Sequence, residues 1–435
     1  MSLTSSAIAF DRQRLLRVAD WMAFGVAVSL PWSTSATSIL IALWLIAVLP
    51  TLTARLVWRE VASLAGGLPV LLWVIAALGM LWADVPWQDR LSGLGGYNRL
   101  LTIPFLLAQF RRSDQGALVL YGYLGSAVCL LMTSWALALI PALSAYGKIY
   151  GVPVKDYVLQ TDEFLVCGFA LLGIGSRTGA HQMWRASWLP IALGVLFLTN
   201  LAFIITSRTG LLVTPFLVAA LGWRLSGTKG LVIACTVAAV LGPILWLTSP
   251  RLRDFTLHSI ADMRAYFATN AVTSSGLHIE FLRRSIEIVE KAPIIGHGTG
   301  SIAEQFRGTA VGESGAKSVI SVNPHNQIFA VAIQIGSLGA IVLVAMWIAH
   351  FMLFLGGSSA AWIGIVVVIE NVVSSAVNSH LFDFSQGWLY VFGIGIVGGM
   401  VLRQNSLAAP IADASSRSMT NLSLAARKNH EKPRD

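Results

Sequence analysis

The chain has 435 residues, of which 55% are hydrophobic and 12% charged, and its mean hydropathy is +0.70. A soluble domain carries about 25% charged residues, so this composition excludes an ordinary soluble enzyme, a coiled coil and a disordered chain. A polytopic membrane protein remains. The net charge of +9 raises nucleic acid as a partner, but the placement of the charges, described below, points elsewhere.

A bilayer-spanning helix needs about 20 mostly apolar residues. About twelve such runs occur, at 18–34, 36–54, 64–82, 96–110, 116–140, 158–176, 187–206, 209–225, 230–248, 325–349, 360–378 and 386–402. The fourth is short, and Asp162 and Glu163 interrupt the sixth. Arg12, Arg14 and Arg17 precede the first run, no small-residue cleavage site follows it, and it reads as a retained helix. Fifteen Trp suit the two headgroup layers. Cys129, Cys167 and Cys235 fall inside apolar runs and form neither a disulfide framework nor a zinc pattern.

Twelve spans put both ends on one side, and Lys and Arg choose which. One set of connections and ends holds Arg12, Arg14, Arg17, Arg55, Arg59, Arg111, Arg112, Arg177, Arg185, Arg224 and Lys229. The tail adds Arg403, Arg417, Arg427, Lys428, Lys432 and Arg434. The opposite short connections hold Arg90, Arg99, Lys148, Lys155 and Arg208. By the positive-inside rule both termini are cytoplasmic, and the basic balance is a topology signal needing no nucleic acid. The expected organisation is spans one to nine over 1–248, a large periplasmic loop over 249–324, spans ten to twelve over 325–402, and a disordered basic tail over 403–435.

Within the loop, 277–291 is an amphipathic helix by spacing. Ile279, Leu282, Ile286 and Val289, with Phe281 and Ile288 beside them, form its apolar side. Glu280, Arg283, Arg284, Glu287, Glu290 and Lys291 lie opposite. Ser275 is the expected N-cap, and Pro293 and Gly296 end the helix. It can lie on the bilayer surface or close over a cavity between spans. The stretch Pro293-Ile-Ile-Gly-His-Gly-Thr-Gly-Ser301 follows; its glycines allow close backbone approach and leave N–H groups for an anion. It lacks the Lys-Ser/Thr ending of a phosphate-binding loop.

Ser207-Arg208-Thr209-Gly210 after an apolar run, the 293–301 stretch, and His325-Asn326 leading into an apolar helix with Gly336 and Gly339 occur in this order. With about twelve spans and one large loop before the His-Asn pair, the chain resembles the O-antigen ligase superfamily, most specifically between 199 and 390. That superfamily includes lipopolysaccharide O-antigen ligases, O-antigen polymerases and some protein O-oligosaccharyltransferases. The resemblance implies an all-helical fold related to GT-C-type glycosyltransferases. It also implies an active site on the periplasmic face of the bacterial inner membrane, with no metal and no cofactor. The donor would be a glycan on undecaprenyl pyrophosphate and the acceptor lipid A–core, with inversion at the anomeric carbon. Members often carry an Arg near the start of the loop helix, where this chain has His278.

Attack by a sugar hydroxyl needs a proton acceptor and a stabiliser for the departing pyrophosphate. Histidine suits the first, with an ordinary pKa of about 6.5, and His325, at the outer mouth of span ten, is the candidate base. Asn326 beside it can hold a hydroxyl or orient the ring; His297 and His278 are secondary substrate-binding candidates. His350 and His430 fall on the cytoplasmic side. Arginine suits the second need, because its planar fork holds phosphate oxygens and stays charged. Arg208 interrupts the apolar stretch from 187 to 225 and is the candidate for that role. Arg283 and Arg284 can add charge from the loop helix. Asp383, near His380, is a candidate support for the site, and Lys148 and Lys155 for acceptor phosphates. No Asp-x-Asp pair of the kind that holds a divalent ion on nucleotide-sugars occurs, which favours metal-independent transfer.

Two alternatives stand beside the ligase. A polymerase of the same superfamily would use the same donor and a similar site. A transporter or lipid flippase would also have twelve spans, but such proteins show related halves and polar residues at mid-membrane. Here the halves differ and polar residues gather on one face. Glu370 and Asn371, inside span eleven, are what a transporter could claim, and hydrogen bonding between helices is the simpler account of them.

Overall fold

The computed structural model describes residues 11–147, 150–176 and 188–430. Lys148, Arg177, Arg185, Lys432 and Arg434, which enter the charge count, lie outside these residues. Every regular element described is helical. The α-helices are α1 (Arg12–Ser29), α2 (Thr34–Val48), α3 (Ala54–Val61), α4 (Leu64–Gly79), α5 (Trp87–Asn98), α6 (Ile103–Phe110), α7 (Gly116–Leu139) and α8 (Tyr157–Gly175). They continue with α9 (Trp188–Phe203), α10 (Arg208–Thr248), α11 (Pro250–Thr269), α12 (Ser274–Lys291), α13 (Ile302–Ala310), α14 (Gln327–Leu353), α15 (Ser359–Ser374) and α16 (Phe384–His430).

Each apolar run of the sequence carries a helix. By length and composition six of the described helices can cross a membrane, or seven if α3 and α4, bent by 88°, count as one broken span. This is consistent with a polytopic membrane protein. The helix α10 is two arms: Ser226 and Gly227 leave helical geometry, with φ of 58° at Gly227. A Cβ on Gly222 would meet the Gly230 carbonyl oxygen at 2.5 Å, whereas residues that far apart along a straight helix are separated by about 12 Å. The chain therefore folds back on itself there, in keeping with separate runs at 209–225 and 230–248. The last helix differs from expectation, since α16 continues to His430 where the composition suggests a disordered tail. Ala is the commonest residue of the segment and a good helix former, and extending an existing helix requires no new nucleus, which offsets the Ser and Asn residues and Pro410 there.

The bundle has two distinct polar ends. At one, Glu60 is held by Arg59 and Arg111, Asp20 accepts from Gln109 and Ser113, and Arg112 donates to Thr51. His350 belongs to the same end, bonded to Tyr390 and the Ala65 carbonyl. At the other end lie the starts of α8, α10 and α14, the segment 375–383 before α16, and the loop helices α11 to α13.

The loop is fastened to the bundle by an interrupted helix. The helix α14 breaks at Ile335 and Gly336, where φ is 67°, and each arm is left with unpaired backbone groups. The 293–300 stretch supplies their partners. Ser337 and Leu338 donate N–H bonds to the carbonyls of Pro293 and Ile294, while His297 and Gly298 donate to those of Ile333 and Gln334. Thr299 N–H reaches Gly79, and Gly300 N–H reaches the Gln334 side chain. These amides are thus consumed by the protein, which corrects the expectation that they face an anion. Glycine is required at the break, because a Cβ on Gly336 would sit 2.1 Å from the Ile294 carbonyl oxygen in a left-handed conformation. Gly336→Ala should lower stability by about 3 kcal/mol, read as a fall in the unfolding temperature of the detergent-solubilised protein. The loop should also become more sensitive to protease.

Candidate functional site

His325 sits where the loop meets the bundle. Its φ of 53° is left-handed, a strained conformation for a residue other than glycine. It is held by its own N–H, which donates to Asn323 Oδ1 at 2.8 Å. The ring stacks on Phe281 of α12 at 5.7 Å and lies 4.5 Å from the His278 ring. Its Nδ1 is 3.2 Å from Asn378 Oδ1. That oxygen also accepts from Asn323 Nδ2 and Ser379 N–H, and Asn378 Nδ2 donates to Asp383 Oδ2. This network fixes the amide orientation, so Nδ1 of His325 carries the hydrogen and Nε2 keeps its lone pair. Burial, then the charges of His278 and Arg208, push the imidazole pKa down to about 4, against the bond to Asn378. The ring is therefore neutral at neutral pH, with the Nε2 lone pair unprotonated. Burial and Asp156 push the Asp383 carboxyl up to about 6, opposed by Arg99.

Arg208 opens α10, capped by Ser207, whose hydroxyl accepts from Gly210 N–H at 2.9 Å. It is a helix-start residue, and the apolar stretch it was expected to interrupt is already broken between α9 and α10. Its guanidinium donates to the hydroxyls of Ser274 and Ser275 at 2.9 and 3.0 Å and lies 4.0 Å from Asp262. The Ser274 backbone carbonyl accepts from His278 Nδ1 at 2.8 Å. The first turn of α12 therefore links Arg208, His278 and His325. Burial first, and then the Arg208 charge, lower the His278 pKa. Arg208 Nε has no hydrogen-bond partner among the described residues.

The other site candidates are engaged elsewhere. Asn326 caps α14, accepting from Phe329 N–H and donating to the Ala376 carbonyl, because the bare N-terminus of a helix demands such an acceptor. His297 bonds the Ile288 carbonyl through Nε2. Arg283 is half-exposed and paired with Glu280 and Glu287. Lys155 donates to the Leu30 carbonyl and to Ser385.

Arg284 is fully buried and donates to Thr309 Oγ1, the Val319 carbonyl and the Phe306 carbonyl. The buried side of α12 is accordingly not the expected stripe. Leu282 and Ile286 are 42% and 46% exposed, while Glu280, Phe281, Arg284, Ser285 and Ile288 face inward. Thr273, not Ser275, is the N-cap, and Gly276 donates its N–H to it. Removing Arg284 strands three acceptors. Arg284→Met should cost about 3 kcal/mol, seen as early proteolysis between α12 and the start of α14.

Asn378, Asn323 and Phe281 carry the geometry around His325 without being marked by any local pattern. They stand far apart in sequence, and polar residues at helix ends are ordinary.

The fold is all-helical among the described residues and consistent with a polytopic membrane protein, and at this end of the bundle His325, His278 and Arg208 are linked through α12. Residues 193–344, about a third of the chain, match the family described as O-antigen ligase. Arg208, α12 and His325 all fall within the match. No curated protein matches the chain. The family indicates glycan transfer of the ligase or polymerase type.

Proposed function

We propose that the protein transfers a glycan from undecaprenyl pyrophosphate to a sugar hydroxyl of lipid A–core, at the periplasmic face of the bacterial inner membrane. His325 Nε2 takes the proton of the attacking hydroxyl. The new glycosidic bond forms as the anomeric C–O bond breaks, its electron pair leaving with the pyrophosphate. Arg208 holds the pyrophosphate oxygens and offsets the charge that grows on them. His278, the other group linked to both, lines the donor side. The transfer needs no metal at the reacting centre and inverts the anomeric carbon, as in the family it resembles. The observation that carries this reading is the orientation of His325. Its Nδ1 is committed to Asn378, which leaves Nε2 as a neutral acceptor beside a fixed cation.

The test is reconstitution. Protein purified in detergent, given lipid-linked glycan and rough lipopolysaccharide in the presence of EDTA, should form a ladder of substituted lipopolysaccharide. Product formed only on a second lipid-linked glycan would select a polymerase. No transfer to either acceptor would sink the reading.

A further inference from the structure

Beneath the His325 site, two helices and a connecting segment bring three metal-ligand side chains to one buried point. Asp162 lies on α8, Glu370 on α15 and His380 in the segment before α16, and all are nearly or fully inaccessible. One ligand atom from each lies within 4.8 Å of the other two, and Asp162 Oδ2 is 3.3 Å from His380 Nδ1. Both oxygens of Asp162, both ring nitrogens of His380 and Glu370 Oε1 have no hydrogen-bond partner among the described residues. Glu370 has Asp162 of α8 as a side-chain hydrogen-bonding neighbour, in line with the bonding between helices that the sequence suggests, and its Oε1 is left over.

Two carboxylates at one dry point cost several kcal/mol each unless something compensates them. The basic groups that approach this end are committed elsewhere. Lys155 donates to Leu30 and Ser385, and Arg99 to the carbonyls of Phe382, Asp383 and Phe384. A proton shared between Asp162 and Glu370 would offset one charge, yet it would leave Glu370 Oε1 and both ring nitrogens of His380 without a partner among the described residues. A divalent cation meets every requirement. Its charge cancels that of two carboxylates, and it occupies lone pairs that otherwise have no partner. Carboxylate oxygens with an imidazole nitrogen, and no thiolate, suit Mn2+ or Zn2+.

We propose that Asp162, Glu370 and His380 bind one divalent cation, which ties α8 and α15 to the segment carrying Asn378. His380 is two residues from Asn378, whose amide sets the tautomer of His325. The ion would brace the base without touching the reacting sugar, and, being buried, it would outlast the EDTA of the transfer assay and leave only on prolonged dialysis, so the two readings fail separately.

The experiment uses Mn2+ and reads binding, not activity. The full chain in detergent is dialysed at length against EDTA, returned to metal-free buffer, loaded with Mn2+ and desalted. The expected result is about one tightly held Mn2+ per chain by elemental analysis, with a raised unfolding temperature. The electron paramagnetic resonance of the bound ion should show modulation by an imidazole nitrogen. Asp162→Asn and His380→Gln should abolish all three, whereas His325→Ala should keep them. If those variants do not fold, Glu370→Gln and the nitrogen modulation of the unaltered protein decide the question. Failure to retain Mn2+, retention unchanged by Glu370→Gln, or bound Mn2+ without nitrogen coupling overturns the proposal.

Discussion

Replacing His325 with alanine is expected to slow transfer by about two to four orders of magnitude, the usual contribution of a positioned general base. Donor binding should be largely kept, because the pyrophosphate contacts assigned to Arg208 do not involve this ring. The pH profile gives the assignment a second readout. The imidazole of the free protein titrates at about 4, and the working form is the neutral one. kcat/KM should therefore be level through neutral pH and fall only as pH drops through about 4, whereas an unperturbed histidine would give its break near 6.5. An anionic donor bound beside the ring favours its charged form, so the break in kcat should lie at higher pH than that in kcat/KM. The same shift carries a stability consequence. Below about 6.5 the unfolded chain takes up a proton that the folded chain accepts only near 4, so stability declines as pH falls across that interval. His325→Ala should remove that part of the decline. A variant that folds and transfers at the full rate would remove His325 from the mechanism.

Much of the fold was legible because lipid imposes a simple rule. Apolar runs of sufficient length become helices, and each run read from the sequence carries one, including the pair separated at Ser226 and Gly227. Charge placement separates the two ends in the same way, with Arg59, Arg111 and Arg112 clustered at one and Arg208 at the other. What could not be read depends on partners distant in the chain. The glycines at 296, 298 and 300 look like an anion cradle in isolation, yet the carbonyls of Pro293 and Ile294 and the amides of His297 and Gly298 complete the broken helix around Gly336. The buried face of α12 was misplaced because Glu280 and Arg284 resemble a solvated face until Tyr266, Arg283, Thr309 and two backbone carbonyls appear beside them. Leu282 and Ile286 are then free to turn outward. Among the site candidates, His325, Arg208 and His278 come together, since each terminates or opens an element at the same end. Asn378 had no signal at all, being an asparagine 53 positions beyond its partner in a segment whose course only the fold defines.

Arg208→Ala is expected to reduce kcat by about two to three orders of magnitude, comparable with the loss of one preorganised donor to developing negative charge. The effect should fall on kcat more than on KM if the guanidinium acts chiefly as charge builds on the departing pyrophosphate. Arg208→Lys should recover part of the rate, because the charge remains while the planar two-pronged contact is lost. A structural explanation competes with this one, since Arg208 also ties α10 to Ser274 and Ser275 of α12 and approaches Asp262. The double variant Ser274→Ala, Ser275→Ala separates the two. It removes the tether and leaves the cation, so it should transfer far faster than Arg208→Ala. Equal losses in the two variants would mean that Arg208 serves only to seat the loop. Arg208 Nε, which has no partner among the described residues, favours the first outcome. A buried donor left unpaired costs about 1–3 kcal/mol, and a phosphate oxygen arriving with the donor would relieve that cost where the reaction needs positive charge.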